Sequence, residues 1–129
     1  MKKSTKFLLL TIGTTITGIY VYNRFIEKTA TKHNLLSDLS GEYYTWKHGK
    51  IYYTKSGNGS PLLLIHDINS SASSEEWKKI IHRFEKNHTV YTLDLLGCGR
   101  SDKPAIEYTN YLYVQLLKDF IKDIIQESI

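Results

Sequence analysis

Three side chains of the 129-residue sequence, His66, Cys98 and Ser101, are of types that perform nucleophilic chemistry, and all three stand beside turn-forming residues. A thiol or hydroxyl becomes a nucleophile when a base, most often an imidazole, sits beside it. Cys98 lies between Gly97 and Gly99, and no pattern places a base next to it, so it reads as small-residue packing in the turn. Ser101 is not in a Gly-x-Ser-x-Gly elbow, a pattern found nowhere in the chain. His66 follows an apolar run and reads as a structural histidine. One Cys excludes an internal disulfide, and five His with that Cys show no paired ligand spacing, so no metal is expected. Nor is a cofactor: the glycines at 57–59 and 97–99 match neither GxxxxGK[ST] nor GxGxxG, and Lys103-Pro104 stands where a phosphate-binding helix would begin. These glycines read as turns.

The elements that must hold these residues are legible as strand, loop, helix and strand. Leu62 to Ile65 and Thr89 to Leu93 are apolar on successive residues, as in strands covered on both faces of a parallel sheet. A right-handed crossover between them puts the His66 loop and the Asp94 loop at the same carboxyl edge. Between them, Ser73-Ser74-Glu75-Glu76 is a capping box that predicts a helix with Ser73 as N-cap. Trp77, Ile80, Ile81 and Phe84 form its buried stripe, Lys78, Lys79 and Arg83 face solvent, and Asn87 ends it. Upstream, the Tyr-rich segments Glu42 to Trp46 and Lys50 to Ser56 flank His48-Gly49 as a hairpin. Downstream, a helix from Tyr108 turns Tyr113, Leu116 or Leu117, Phe120 and Ile124 inward, with Lys118, Asp119, Lys122 and Asp123 opposite.

The order apolar strand, His66, loop, helix, strand, then Asp94-x-x-Gly97-x-Gly99-x-Ser101-Asp102-Lys103-Pro104 resembles the amino-terminal half of an α/β-hydrolase domain, over about Glu42 to Ile129. The resemblance implies an α/β fold: a partial α/β-hydrolase-type sheet with an amino-terminal hairpin, a parallel βαβ unit and the helix that follows. It also implies ester or acyl hydrolase chemistry by a nucleophile, acid and His triad, whose members fall in the family beyond the position of Ile129. His66-Asp67 stands where the family has His-Gly, so the backbone N–H of Ile68 is the implied oxyanion-hole donor, with Asp67 in place of the glycine. His66, Asp67, Asp94, Gly97, Gly99 and Ser101 are expected as structural residues bracing the cleft. On this reading the chain is a truncated hydrolase, inactive by itself, whose partner is a complementing carboxyl-terminal half. The alternative is a non-catalytic, membrane-tethered interaction module that pairs through its exposed sheet edge.

Charge divides the chain differently. Residues 1–39 carry six basic side chains against two acidic ones, and residues 40–129 carry eleven of each, so the net +4 belongs to the amino-terminal segment. A basic stripe for nucleic acid is absent, and anionic lipid is the expected neighbour. Phe7 to Asn23 is uncharged between Lys6 and Arg24, and as a helix reaches about 25 Å, against a hydrocarbon core of about 30 Å. With Lys6 and Arg24 snorkelling it just spans, and no small-x-small cleavage site follows Tyr22. The expectation is an uncleaved signal anchor over 1–26, a single transmembrane helix, then a linker over 27–40 and the hydrolase portion over 41–129. Three basic residues on either side leave the membrane orientation open.

Overall fold

The computed structural model describes residues 3–30, Leu36 and residues 41–126, in two compact units, Met1–Leu35 and Leu36–Ile129. Most of the linker expected over 27–40 lies outside the described residues.

The first unit is one helix, α1 (Lys3–Ala30). Its threonines are satisfied internally: Thr14 and Thr15 donate to the Thr11 carbonyl, Thr17 to Gly13 and Thr29 to Phe25. This back-bonding spares each hydroxyl an outside partner. The expected spanning helix finds no support, however, because among the described residues no helix is long and apolar enough to cross a membrane. Four threonines, Gly13 and Gly18 dilute the apolar run.

The second unit is a four-stranded sheet in the order β1-β2-β4-β3, made of β1 (Glu42–Trp46), β2 (Gly49–Gly57), β3 (Ser60–Ile65) and β4 (His88–Leu93). The hairpin pairs β1 with β2 antiparallel in the register Tyr44↔Ile51, and the turn itself is Lys47-His48 with Gly49 already on the strand. β2 pairs antiparallel with β4, and β3 pairs parallel with β4, Leu63 opposite Tyr91. Val90 to Leu93 are all buried, as their unbroken apolar run predicts. β3 is different: Leu62, Leu63 and Leu64 are half-buried and Ile65 is exposed, since β3 forms the margin of the sheet among the described residues.

The long helix expected after Ser73 is replaced by a 3-10 turn (Ser74–Trp77) and a single helical turn, α2 (Ile81–Phe84). The capping box does not form: the Ser73 side chain makes no cap bond, and the neighbouring Ser74 N–H donates to Asp94. The sidedness survives, with Trp77, Ile80, Ile81 and Phe84 half-buried and Lys78, Lys79 and Arg83 exposed.

α3 (Asn110–Phe120) is capped by the Thr109 hydroxyl, which accepts from the Leu112 N–H, and continues as a π turn over Ile121–Ile125. Tyr113, Leu116 and Phe120 are buried as their spacing predicts, but the wider turn buries Ile125 and leaves Ile124 only half-buried. Phe120 is the centre of the core, meeting Tyr44, Tyr53 and Tyr91 edge-on at 5.8, 5.3 and 6.4 Å. Asp119 and Asp123 are not simply solvated: Trp46 Nε1 donates to Asp119 and the Tyr44 hydroxyl to Asp123, each at 2.7 Å.

Candidate functional site

The ends of β3 and β4 deliver two loops to one edge of the sheet, and Asp94 ties them together. It is fully buried, and its carboxylate accepts from the Ser74 N–H at 2.6 Å on one oxygen and from the Arg100 N–H at 2.7 Å on the other. Its own N–H donates to the Tyr52 carbonyl, and its carbonyl accepts from the Ser101 hydroxyl. Gly97 and Gly99 have φ of 90° and 47°, and a Cβ at Gly99 would overlap the Asp94 carboxylate. Glycine is therefore required where the backbone wraps this anion. Arg100 spreads its guanidinium over the Tyr52 ring, 4.9 Å from the centroid, and reaches Glu75 at 3.1 Å. The turn closes on β2 through Asp102, which accepts from the Lys50 N–H at 2.7 Å, and Lys103 caps the Gly99 and Ser101 carbonyls.

The three side chains with nucleophilic or basic character are each committed to the scaffold. The Ser101 hydroxyl donates to Asp94 and accepts from the Tyr52 N–H at 2.9 Å, and the residue is buried. His66 Nε2 accepts from the Leu95 N–H at 2.9 Å, which requires the proton on Nδ1, where it donates to the Asp67 carbonyl at 2.7 Å. Both ring nitrogens are thus engaged by the backbone. Cys98 donates its thiol to the Asn69 carbonyl at 3.4 Å, and burial pushes that thiol's pKa up, away from the reactive thiolate.

Asp67 and Ile68 sit at the mouth of the arrangement. The Asp67 carboxylate does not point away: it accepts from the Ile68 N–H at 2.8 Å and from the Asn69 side-chain amide at 3.1 Å. The backbone donor implied for an oxyanion is thus occupied by a neighbouring anion. Beside it lies a cleft of about 280 Å³ whose walls include Ile68, Asn69, Cys98, Tyr108 and Tyr113. The two tyrosine rings are stacked with centroids 6.5 Å apart, and their hydroxyls donate to the Pro104 and Leu96 carbonyls. Both residues line the cleft with their hydroxyls bonded to the backbone. Sequence reasoning assigned Tyr113 to the core and Tyr108 to a helix start; no spacing marks them as a pair, because the loop between 97 and 109 brings them together. Among the described residues no group of three or more His, Cys, Asp and Glu is arranged to hold a metal ion.

Comparison with known proteins gives this geometry a family context. No family model matches the chain. A solved α/β-hydrolase fold protein from Burkholderia ambifaria superimposes with a TM-score of 0.61 at 27% identity, over 70% of this chain and 33% of that one. The second unit carries part of an α/β-hydrolase fold. In sequence, the chain is 39% identical over 71 residues to 2-hydroxy-6-oxo-6-(2'-aminophenyl)hexa-2,4-dienoic acid hydrolase of Metapseudomonas resinovorans, a match covering 54% of this chain. A solved membrane phospholipase A matches 96% of the chain at 25% identity with a TM-score of 0.61. The chain spans about a quarter of that curated relative's length, 24%, and 41% of the phospholipase chain.

Proposed function

We propose that this chain supplies the cleft-building scaffold of a membrane-attached α/β-hydrolase with ester or acyl hydrolase chemistry. The observation that carries the reading is the Asp94 network, which fixes two loops beside an apolar cleft while leaving no nucleophile or base of its own. The nucleophile, acid and His come from the remaining, carboxyl-terminal portion of the fold, and the free margin of β3 is the place for its first strand. Membrane attachment is supported by α1, which exposes Ile12, Ile16, Ile19, Val21 and Phe25 and spends its threonine hydroxyls internally. The likeness to a membrane phospholipase A over nearly the whole chain points the same way.

The 129-residue chain alone is expected to leave activated esters at the background rate, and co-expression with a carboxyl-terminal hydrolase portion bearing Gly-x-Ser-x-Gly, an acid and a His is expected to give saturable turnover. Turnover by the chain alone that disappears in Ser101→Ala or Cys98→Ala would refute the scaffold role. On cell fractionation the chain should partition with membranes, and recovery of the intact chain as soluble protein would count against attachment. A second reading, a non-catalytic, membrane-tethered interaction module, is favoured by Asp67 sitting on the Ile68 N–H. It predicts that a complementing portion binds without producing turnover.

A further inference from the structure

The residues of α1 divide between two sides of the helix. At about 3.6 residues per turn, Ile12, Ile16, Ile19 and Ile26 all fall within about 80° of one another around the axis. Each is 46 to 62% exposed, so together they form a stripe of uncovered apolar surface. Tyr22 lies at the edge of that stripe, also exposed, where a ring with a polar tip suits a boundary between lipid and water. The charges keep to the other side. Arg24 and Lys28, one turn apart, are centred about 140° round the axis from the middle of the stripe. Gly13 and Thr17 share their side, Val21 and Phe25 interrupt it, and Lys3 and Lys6 stand at the same register near the other end of the helix.

This arrangement fits one of the two ways in which a helix meets a bilayer. A spanning helix is wrapped by acyl chains all round and carries the charges at its two ends to opposite surfaces. Among the described residues no helix is long and apolar enough for that. A helix lying in the interface buries one face at the acyl boundary and keeps the other in the headgroup layer, where basic side chains meet lipid phosphates. Basic residues at both ends then reach the same layer, as the shared register of Lys3, Lys6, Arg24 and Lys28 allows. Thr14 and Thr17 ask nothing of the lipid, since their hydroxyls donate to the Thr11 and Gly13 carbonyls. Charge selects the lipid class: residues 1–39 carry six basic side chains against two acidic ones, which complements an anionic surface.

We propose that α1 binds an anionic membrane surface while lying in its plane, with Ile12, Ile16, Ile19 and Ile26 at the acyl boundary and Arg24 and Lys28 at the phosphates. The inference rests on the membrane attachment proposed above and adds to it a geometry and a lipid class. The test is flotation of the 129-residue chain with vesicles of phosphatidylcholine, alone or mixed equally with phosphatidylglycerol, an assay in which aggregated protein does not rise. The chain is expected to float with the mixed vesicles, to bind less as salt is raised, and to lose about tenfold or more in affinity in the Arg24→Gln, Lys28→Gln double variant. Depth is read from an environment-sensitive fluorophore on cysteines that replace residues 12 to 23 one at a time in a Cys98→Ala background. Its emission should follow the helical period, most blue-shifted at 12, 16 and 19 and least at 13 and 17. A smooth rise to one maximum at mid-helix would mark a spanning helix and would overturn the in-plane inference while leaving membrane attachment standing. Equal, salt-independent flotation with both vesicles would also overturn the inference, and that measurement needs no cysteine variant. Failure to float with either vesicle would overturn membrane attachment itself, and this inference with it.

Discussion

At the scale of single residues, Asp94 is the position on which most depends. It is a buried carboxylate held by two backbone N–H groups from different loops, and its removal leaves both donors buried without an acceptor. Asp94→Ala is expected to destabilise the second unit by about 3 to 5 kcal/mol in denaturant unfolding, with Asp94→Asn costing less because one acceptor remains. A cost no larger than that of a surface substitution would show that the network is not what holds the two loops. Asp67 makes a local claim: Asp67→Gly should release the Ile68 N–H and speed its hydrogen exchange by about tenfold. An unchanged exchange rate would mean that the carboxylate does not occupy this donor in solution. The residues around Asp94 were visible in the sequence as a turn pattern, and His66 as a histidine at a strand end. Their partners were not: Ser74, Tyr52 and Leu95 are reached across the fold, and Asx or Gly signals carry no information about such distant pairings.

At the scale of elements, the sequence was most legible where one period rules and least where two demands compete. The strands follow from apolar runs and the buried face of α3 from its spacing, although α3 starts at Asn110, after the Thr109 cap, and not at Tyr108. The segment after Ser73 departed from its capping box: Ser73 makes no side-chain cap bond, and Asp94, reached across the fold, takes the Ser74 N–H. The Ile124 to Ile125 change reflects a π turn, which a fixed helical period cannot anticipate. The hairpin's tyrosines were legible only as strand residues, and their hydroxyls donate to carboxylates: Tyr53 to Glu42 at 2.6 Å and Tyr44 to Asp123. Burial first, and then the Glu42 hydrogen bond, push the Tyr53 pKa up to about 12, and burial with Asp123 raises that of Tyr44 as well. A raised phenol pKa means that the unfolded chain loses its proton first. Stability is then full below the ordinary tyrosine value of 10.0 and falls as pH rises from there toward about 12. Tyr53→Phe should flatten this alkaline loss in unfolding measured against pH, and an equal slope in both proteins would remove Tyr53 as its cause.

At the scale of the molecule, the margin of the sheet at β3 decides how the second unit should behave by itself. After Ser60, β3 is made of Pro61, Leu62, Leu63, Leu64 and Ile65, an apolar run suited to cover on both faces, yet it stands at the sheet margin among the described residues with its leucines only half-buried. An apolar edge strand offers unpaired N–H and C=O groups to any other strand, and such edges drive association unless a charge, a proline or a covering element blunts them. β3 has Pro61 near its start and no charge along its length. Residues 40–129 alone should therefore aggregate or show loosely packed, molten behaviour, and a complementing portion that adds a parallel strand beside β3 should suppress it. The two causes, an open edge and an insufficient core, are separable at Ile65, whose side chain is 38% exposed. Ile65→Lys adds an edge charge and removes little buried area, so it should slow aggregation measured by light scattering while leaving the secondary-structure content measured by circular dichroism nearly unchanged. If aggregation proceeds at the same rate, the exposed edge is not its route. If the fragment unfolds cooperatively as a monomer without any substitution, the sheet is self-sufficient, and the interaction-module reading gains over the scaffold of a hydrolase.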